Sequence, residues 1–196
     1  MRLRPAALLA PFALAACGGE PAGPRSLVGD FEAPGMHAVA RDTIVVWRRS
    51  VQPDGMMRLS SYTVEPAGGV QTAEEAERGE THADSETAPP LPGERRGRFQ
   101  LSAADLAKLR AKAALLRPHE LHPEVATGGY AGEVYPIGCT RRAAESPVAG
   151  VNFLNDSAWG VFILQPSCKG PGADAARRVL AEMLEILEKS AVTGAS

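Results

Sequence analysis

The segment Arg117-Pro118-His119-Glu120-Leu121-His122-Pro123-Glu124 places two imidazoles and two carboxylates within six residues. These are ligand types that zinc accepts. A metal-binding protein or metal-dependent enzyme is therefore one expectation, with His119, His122, Glu120 and Glu124 as candidate ligands. The spacing weakens it. The pattern is not His-Glu-x-x-His, and Pro118 and Pro123 forbid a continuous helix, so the two histidines are not set on one helical face. A catalytic zinc also needs a third protein ligand and an open position. His37 and His82 are the only other histidines, and nothing in the spacing brings them near. The plainer expectation is a helix-exit loop with exposed polar groups, and no catalytic residue is assigned.

The other reactive side chains are three cysteines, Cys17, Cys139 and Cys168. Cys17 closes an apolar run, Ala6 to Ala16, that follows Arg2 and Arg4 and is interrupted only by Pro11. That run is far shorter than the roughly 20 apolar residues needed to span a bilayer. A positive start, a short apolar stretch and small residues before the cut describe a secretory signal. Leu14-Ala15-Ala16-Cys17 resembles the lipobox of bacterial lipoproteins. The resemblance covers residues 1–17 only. It implies cleavage before Cys17, a diacylglycerol on the Cys17 thiol and an acyl chain (such as palmitate) on the new amine. The covalent lipid would be the only prosthetic group. Gly18 rather than Asp after the cysteine implies the outer membrane if the source is Gram-negative, and otherwise the extracellular face of the plasma membrane. The expected partners are thus the membrane, through the anchor, and a protein of the cell envelope.

With Cys17 lipidated, Cys139 and Cys168 remain, and an even remainder in an oxidising compartment reads as a disulfide. They are not in a Cys-x-x-Cys arrangement, which favours a structural over a redox role.

Composition fits a single core: 44% of the residues are hydrophobic and 22% charged. Removing residues 1–16 takes away Arg2 and Arg4, so the formal charge moves from −2 to −4. There is no basic surplus, and nucleic acid is not an expected partner. Gly-x-Ser-x-Gly, phosphate-loop and Cys-x-x-Cys motifs are all missing from the sequence. Residues 18–35 are rich in Gly and Pro and read as a flexible tether with a mean reach of roughly 20–25 Å.

The elements that would position these side chains follow in order. Thr43-Ile44-Val45-Val46-Trp47 reads as a strand, Gln52-Pro53-Asp54-Gly55 as a turn, and Met56 to Val64 as the returning strand. In that strand Met57, Leu59 and Ser61 alternate with Arg58, Ser60 and Tyr62. A third strand is expected to start at Val70. Residues 72–96 read as an acidic flexible excursion, with at most a marginal helical turn at Thr72 to Glu77. Gly97 to Leu101 reads as a short strand. Ser102 then caps a helix with Asp105 at its third position, stapled by Leu101 and Leu106 and ending before Pro118. Thr127 to Gly132 reads as a turn or loop and Glu133 to Cys139 as an irregular strand. Val148 to Leu154 and Trp159 to Leu164 form a second hairpin. Ala173 to Lys189 forms the longest helix, with an apolar stripe of Val179, Leu180, Met183, Leu184 and Leu187.

The expected architecture is an α+β, two-layer sandwich: a mainly antiparallel sheet covered on one face by two helices. The domain spans 36–190, after a signal peptide (1–16) and a lipidated cysteine with its tether (17–35), and before a disordered tail (191–196). The function expected from this reading is that of a membrane-anchored exported lipoprotein with a non-catalytic binding, inhibitory or envelope-accessory domain.

Overall fold

The computed structural model describes residues 39–51, 56–76, 95–118, 129–155 and 158–194. In β1 (Thr43–Val51), β-branched and aromatic side chains alternate between buried and half-exposed from Thr43 to Trp47, as a strand with one face on a core requires. β2 (Met57–Val64) returns antiparallel, with Val51 opposite Met57 and Ile44 opposite Val64. The Pro-Asp-Gly turn expected between them lies outside the described residues. Gly68, at φ +89°, closes the next turn. Its N–H donates to the Glu65 carbonyl at 2.9 Å, and β3 (Gly69–Ala76) begins at once.

β4 (Arg95–Gln100) pairs antiparallel with β3. Both strands reach into the 72–96 excursion, so its two ends are strand, and Thr72 to Ala76 is strand rather than a helical turn. Cross-strand chemistry fits the extended form: Glu74 stands opposite Arg95, and its carboxylate lies 4.0 Å from the Arg58 guanidinium.

α1 (Ala103–Ala114) starts as its sequence predicts. The Asp105 N–H donates to Ser102 Oγ at 3.1 Å, and the Ser102 hydroxyl donates to Asp105 Oδ2 at 2.8 Å. β5 (Gly129–Val134) corrects the next expectation. The strand lies earlier than Glu133 to Cys139 and takes in residues read as a loop. It pairs parallel with β7 (Ala158–Leu164), which is antiparallel to β6 (Ala149–Leu154). α2 runs Pro171–Gly194, five residues past Lys189 and into the segment read as a tail.

The seven strands form one sheet in the order β4-β3-β2-β1-β6-β7-β5. Five pairs are antiparallel and one is parallel, so the α+β, mainly antiparallel architecture is as expected. Register puts Ile44, Val46, Val64, Val70, Val151, Phe153, Phe162 and Leu164 on one face. They share a single buried core with Leu109, Ala113 and Leu116 from the α1 region and Ala173, Ala176, Leu180, Met183 and Leu187 of α2. The buried α2 positions recur every three or four residues, the spacing of one helical face. Lys112 and Glu182 join the two helices by an ion pair. No helix among the described residues is long and apolar enough to cross a membrane.

The other sheet face, turned away from the helices, carries Val45, Trp47, Arg49, Leu59, Asn152, Leu154, Trp159 and Val161. Trp47 lies against Gly150, where a Cβ would meet both its ring and the Phe162 carbonyl oxygen. Its indole N–H donates to Asn152 Oδ1 at 2.9 Å, and the Arg49 guanidinium sits 5.6 Å from its ring.

Candidate functional site

Cys139 and Cys168 form a disulfide, with their Cα atoms 5.6 Å apart. Cys139 closes a turn after β5, its N–H donating to the Pro136 carbonyl at 2.9 Å, and Cys168 follows β7. The bridge therefore joins the exits of the two parallel strands. Gln165 supports it. This buried amide accepts from the Arg142 N–H at 2.9 Å and donates to the carbonyls of Arg142 and Glu145 at 2.8 and 2.9 Å. The Glu145 carboxylate accepts from the Ser167 N–H at 3.1 Å. Hydrogen bonding from Ser167, with Arg142 nearby, holds that carboxyl below its ordinary value.

His119, Glu120, His122 and Glu124 lie outside the described residues, as do Cys17, His37 and His82. The structure neither brings the metal candidates together nor separates them. Among the described residues, no group of three or more His, Cys, Asp or Glu side chains could hold a metal ion.

What the structure does show is the anchorage of that segment. Arg117, the residue before Pro118, is buried and ion-paired with buried Asp42, and its guanidinium lies 5.8 Å from the Phe153 ring centre. Burial pulls the Arg117 guanidinium down to about 10, so it stays charged at neutral pH. Arg110, seven residues earlier in α1, donates to the Val39, Asp42, Glu65 and Pro66 carbonyls. Two α1-region arginines thus tie the lead-in to β1 and the β2–β3 turn into the core. From sequence Arg117 reads as the start of an exposed exit loop, because nothing local marks an arginine for burial. Its partner Asp42 is 75 positions away.

A shallow, open groove of about 230 Å³ lies on the helix-bearing face, lined by Ser60, Tyr62, Thr72, Glu74, Arg95 and Gly97 among others. Ser60 and Tyr62 of β2, Thr72 and Glu74 of β3 and Gly97 of β4 share this face by register. A Cβ on Gly97 would meet Thr72 Oγ1 at 2.8 Å, so the glycine keeps the groove floor open. Arg48 and Glu188 pair beside it at 2.9 Å. Burial first, then the Glu188 and Glu74 carboxylates, raise the Tyr62 phenol above its ordinary 10.0 against the opposing pull of Arg48. Tyr62 is therefore a protonated hydrogen-bond donor at neutral pH. Hydroxyls, a carboxylate and guanidinium groups line the groove beside apolar surface. It is smaller than the roughly 300–1,000 Å³ of a typical small-molecule pocket.

Ser60 and Tyr62 alternate with Met57 and Leu59 and so read as the solvent side of a strand, while Thr72, Glu74 and Arg95 fall in the stretch that reads as an acidic loop. The available signal was parity: Ser60 and Tyr62 fall in phase with Val64, and Thr72 and Glu74 with Val70.

No known protein family matches the chain, and no curated protein does either.

Proposed function

We propose that this chain is an exported lipoprotein. Cys17 carries the lipid that holds it to a membrane, and the α+β domain works by binding, as an inhibitory or envelope-accessory module, rather than by catalysis. The observation that carries this reading is the Cys139–Cys168 disulfide. Structural disulfides belong to oxidising compartments. The bridge also uses two of the three cysteines, leaving Cys17, at the end of Leu14-Ala15-Ala16-Cys17, as the odd one. An odd cysteine in an exported protein calls for a modification or an intermolecular partner. Two or three acyl chains, each buried CH₂ contributing about 0.8 kcal/mol, would anchor it durably.

A binding role is supported by the two surfaces the sheet presents, the shallow groove beside Tyr62 and the half-apolar outer face around Trp47 and Trp159.

The test is Cys17→Ser in the producing cell. Metabolic labelling with palmitate and membrane fractionation should show loss of both label and retention. Unchanged label and retention in the variant would refute the anchor.

A further inference from the structure

The chain contains two tryptophans, and both lie on the sheet face turned away from the helices. They differ in how they are held. Trp47 is half-buried against Gly150, with its N–H bonded to Asn152. Trp159 is 47% exposed and stands opposite Leu154, itself 40% exposed, at the turn between β6 and β7. Leu154 in turn pairs with Thr43, the first residue of β1. The exposed Trp–Leu pair therefore occupies the end of the sheet at which the chain arrives from its N-terminal segment. Arg41 is exposed in the turn that leads into β1. Val39, the first described residue, lies 22 positions after Cys17.

An exposed apolar residue is by itself ordinary. What selects this pair is its position. A domain tethered through residues 18–38 presents to its own membrane the end from which the tether leaves. At that end stand an indole, a leucine and a guanidinium. Tryptophan partitions to the lipid headgroup level, leucine into the acyl boundary beneath it, and arginine buries its stem while pairing with phosphate.

We infer that the Leu154–Trp159 corner, together with Arg41, rests on the lipid surface in which Cys17 is anchored, so that the domain is oriented on its membrane rather than swinging freely. This inference rests on the lipid-anchor reading above.

The test uses the lipidated, full-length mature protein, reconstituted into phosphatidylethanolamine–phosphatidylglycerol vesicles whose acyl chains are brominated just below the headgroups. Flotation reports the anchor, and tryptophan emission reports the face. The expected result is flotation with a blue-shifted emission from which the Trp159 part is lost to bromine. Trp159→Phe, an exposed and conservative change, should float equally and leave an unquenched Trp47 signal. Flotation with no quenching would overturn the corner contact while leaving the anchor intact. So would quenching that survives in Trp159→Phe, and so would a second copy or a protein covering the corner, because it would shield Trp159 from bromine. Failure to float would overturn anchor and contact together.

Discussion

At the residue scale, the costliest side chain to alter is Arg117. A buried ion pair gains little over a well-packed apolar pair, but removing one partner strands the other in a low dielectric. Arg117→Met should leave Asp42 buried and uncompensated and cost about 3–5 kcal/mol. The loss would appear as a lower urea midpoint. Removing the charge from both sides, Asp42→Asn with Arg117→Met, should recover much of it. A double variant as unstable as the single would show that the arginine acts through its packing on Phe153 rather than through charge. Gly150 is legible only at this scale. Its lack of a side chain lets the Trp47 ring lie on the sheet, a partner more than a hundred residues away that the local strand pattern does not show.

At the element scale, α1 begins with the Ser102–Asp105 pair. The Ser102 hydroxyl bond, then Lys108, lower the Asp105 carboxyl from its ordinary 3.8. A carboxyl whose folded value is depressed contributes stability that is complete above about pH 5 and is lost as pH falls through the folded value. Ser102→Ala should cost about 1 kcal/mol at neutral pH, the usual loss of an N-cap. It should also flatten the acid limb of the stability curve below pH 3.8. Thermal unfolding followed by circular dichroism between neutral and acid pH measures both. An unchanged acid limb would place the Asp105 shift in Lys108 instead.

Local legibility followed the same line. The helix start was readable because capping is a four-residue event. β5 was not, because Gly129, Gly132 and their neighbours have turn composition. They become a strand only through the parallel partner β7, with a register shift between Tyr130 and Gly132 and a positive φ of 97° at Gly132.

At the scale of the molecule, the Cys139–Cys168 bridge closes a loop of 29 residues, which the chain-entropy model values at about 3–4 kcal/mol. Reduction, or Cys139→Ala with Cys168→Ala, should lower the unfolding free energy by that amount. The Gln165 and Glu145 bonds should hold the β5 and β7 exits together in the reduced protein. Denaturant unfolding with and without reductant checks the first point, and an unchanged near-ultraviolet spectrum of the reduced protein checks the second. Reduction that costs nothing would mean the unfolded chain is already restrained.

The sequence by itself determined what depends on neighbours along the chain: the hairpins, the capped helix, the apolar stripe of α2, the pairing of the last two cysteines and the resemblance of residues 14–17 to a lipobox. These rest on periodicities and spacings of a few residues, and on the arithmetic of three cysteines. Only the tertiary structure decided what depends on register and crossing. It inserted β5 in parallel at the sheet edge and drew Glu74 into a ladder instead of a loop. It buried Arg117 on Asp42, gathered Ser60, Tyr62, Thr72 and Glu74 around one groove, and set Leu154 and Trp159 at the end where the chain arrives. The physical reason is the period of a strand. Each residue has two faces to choose from, and the choice is made by the strand beside it, which in this chain can lie more than a hundred residues away, as Trp47 and Asn152 do.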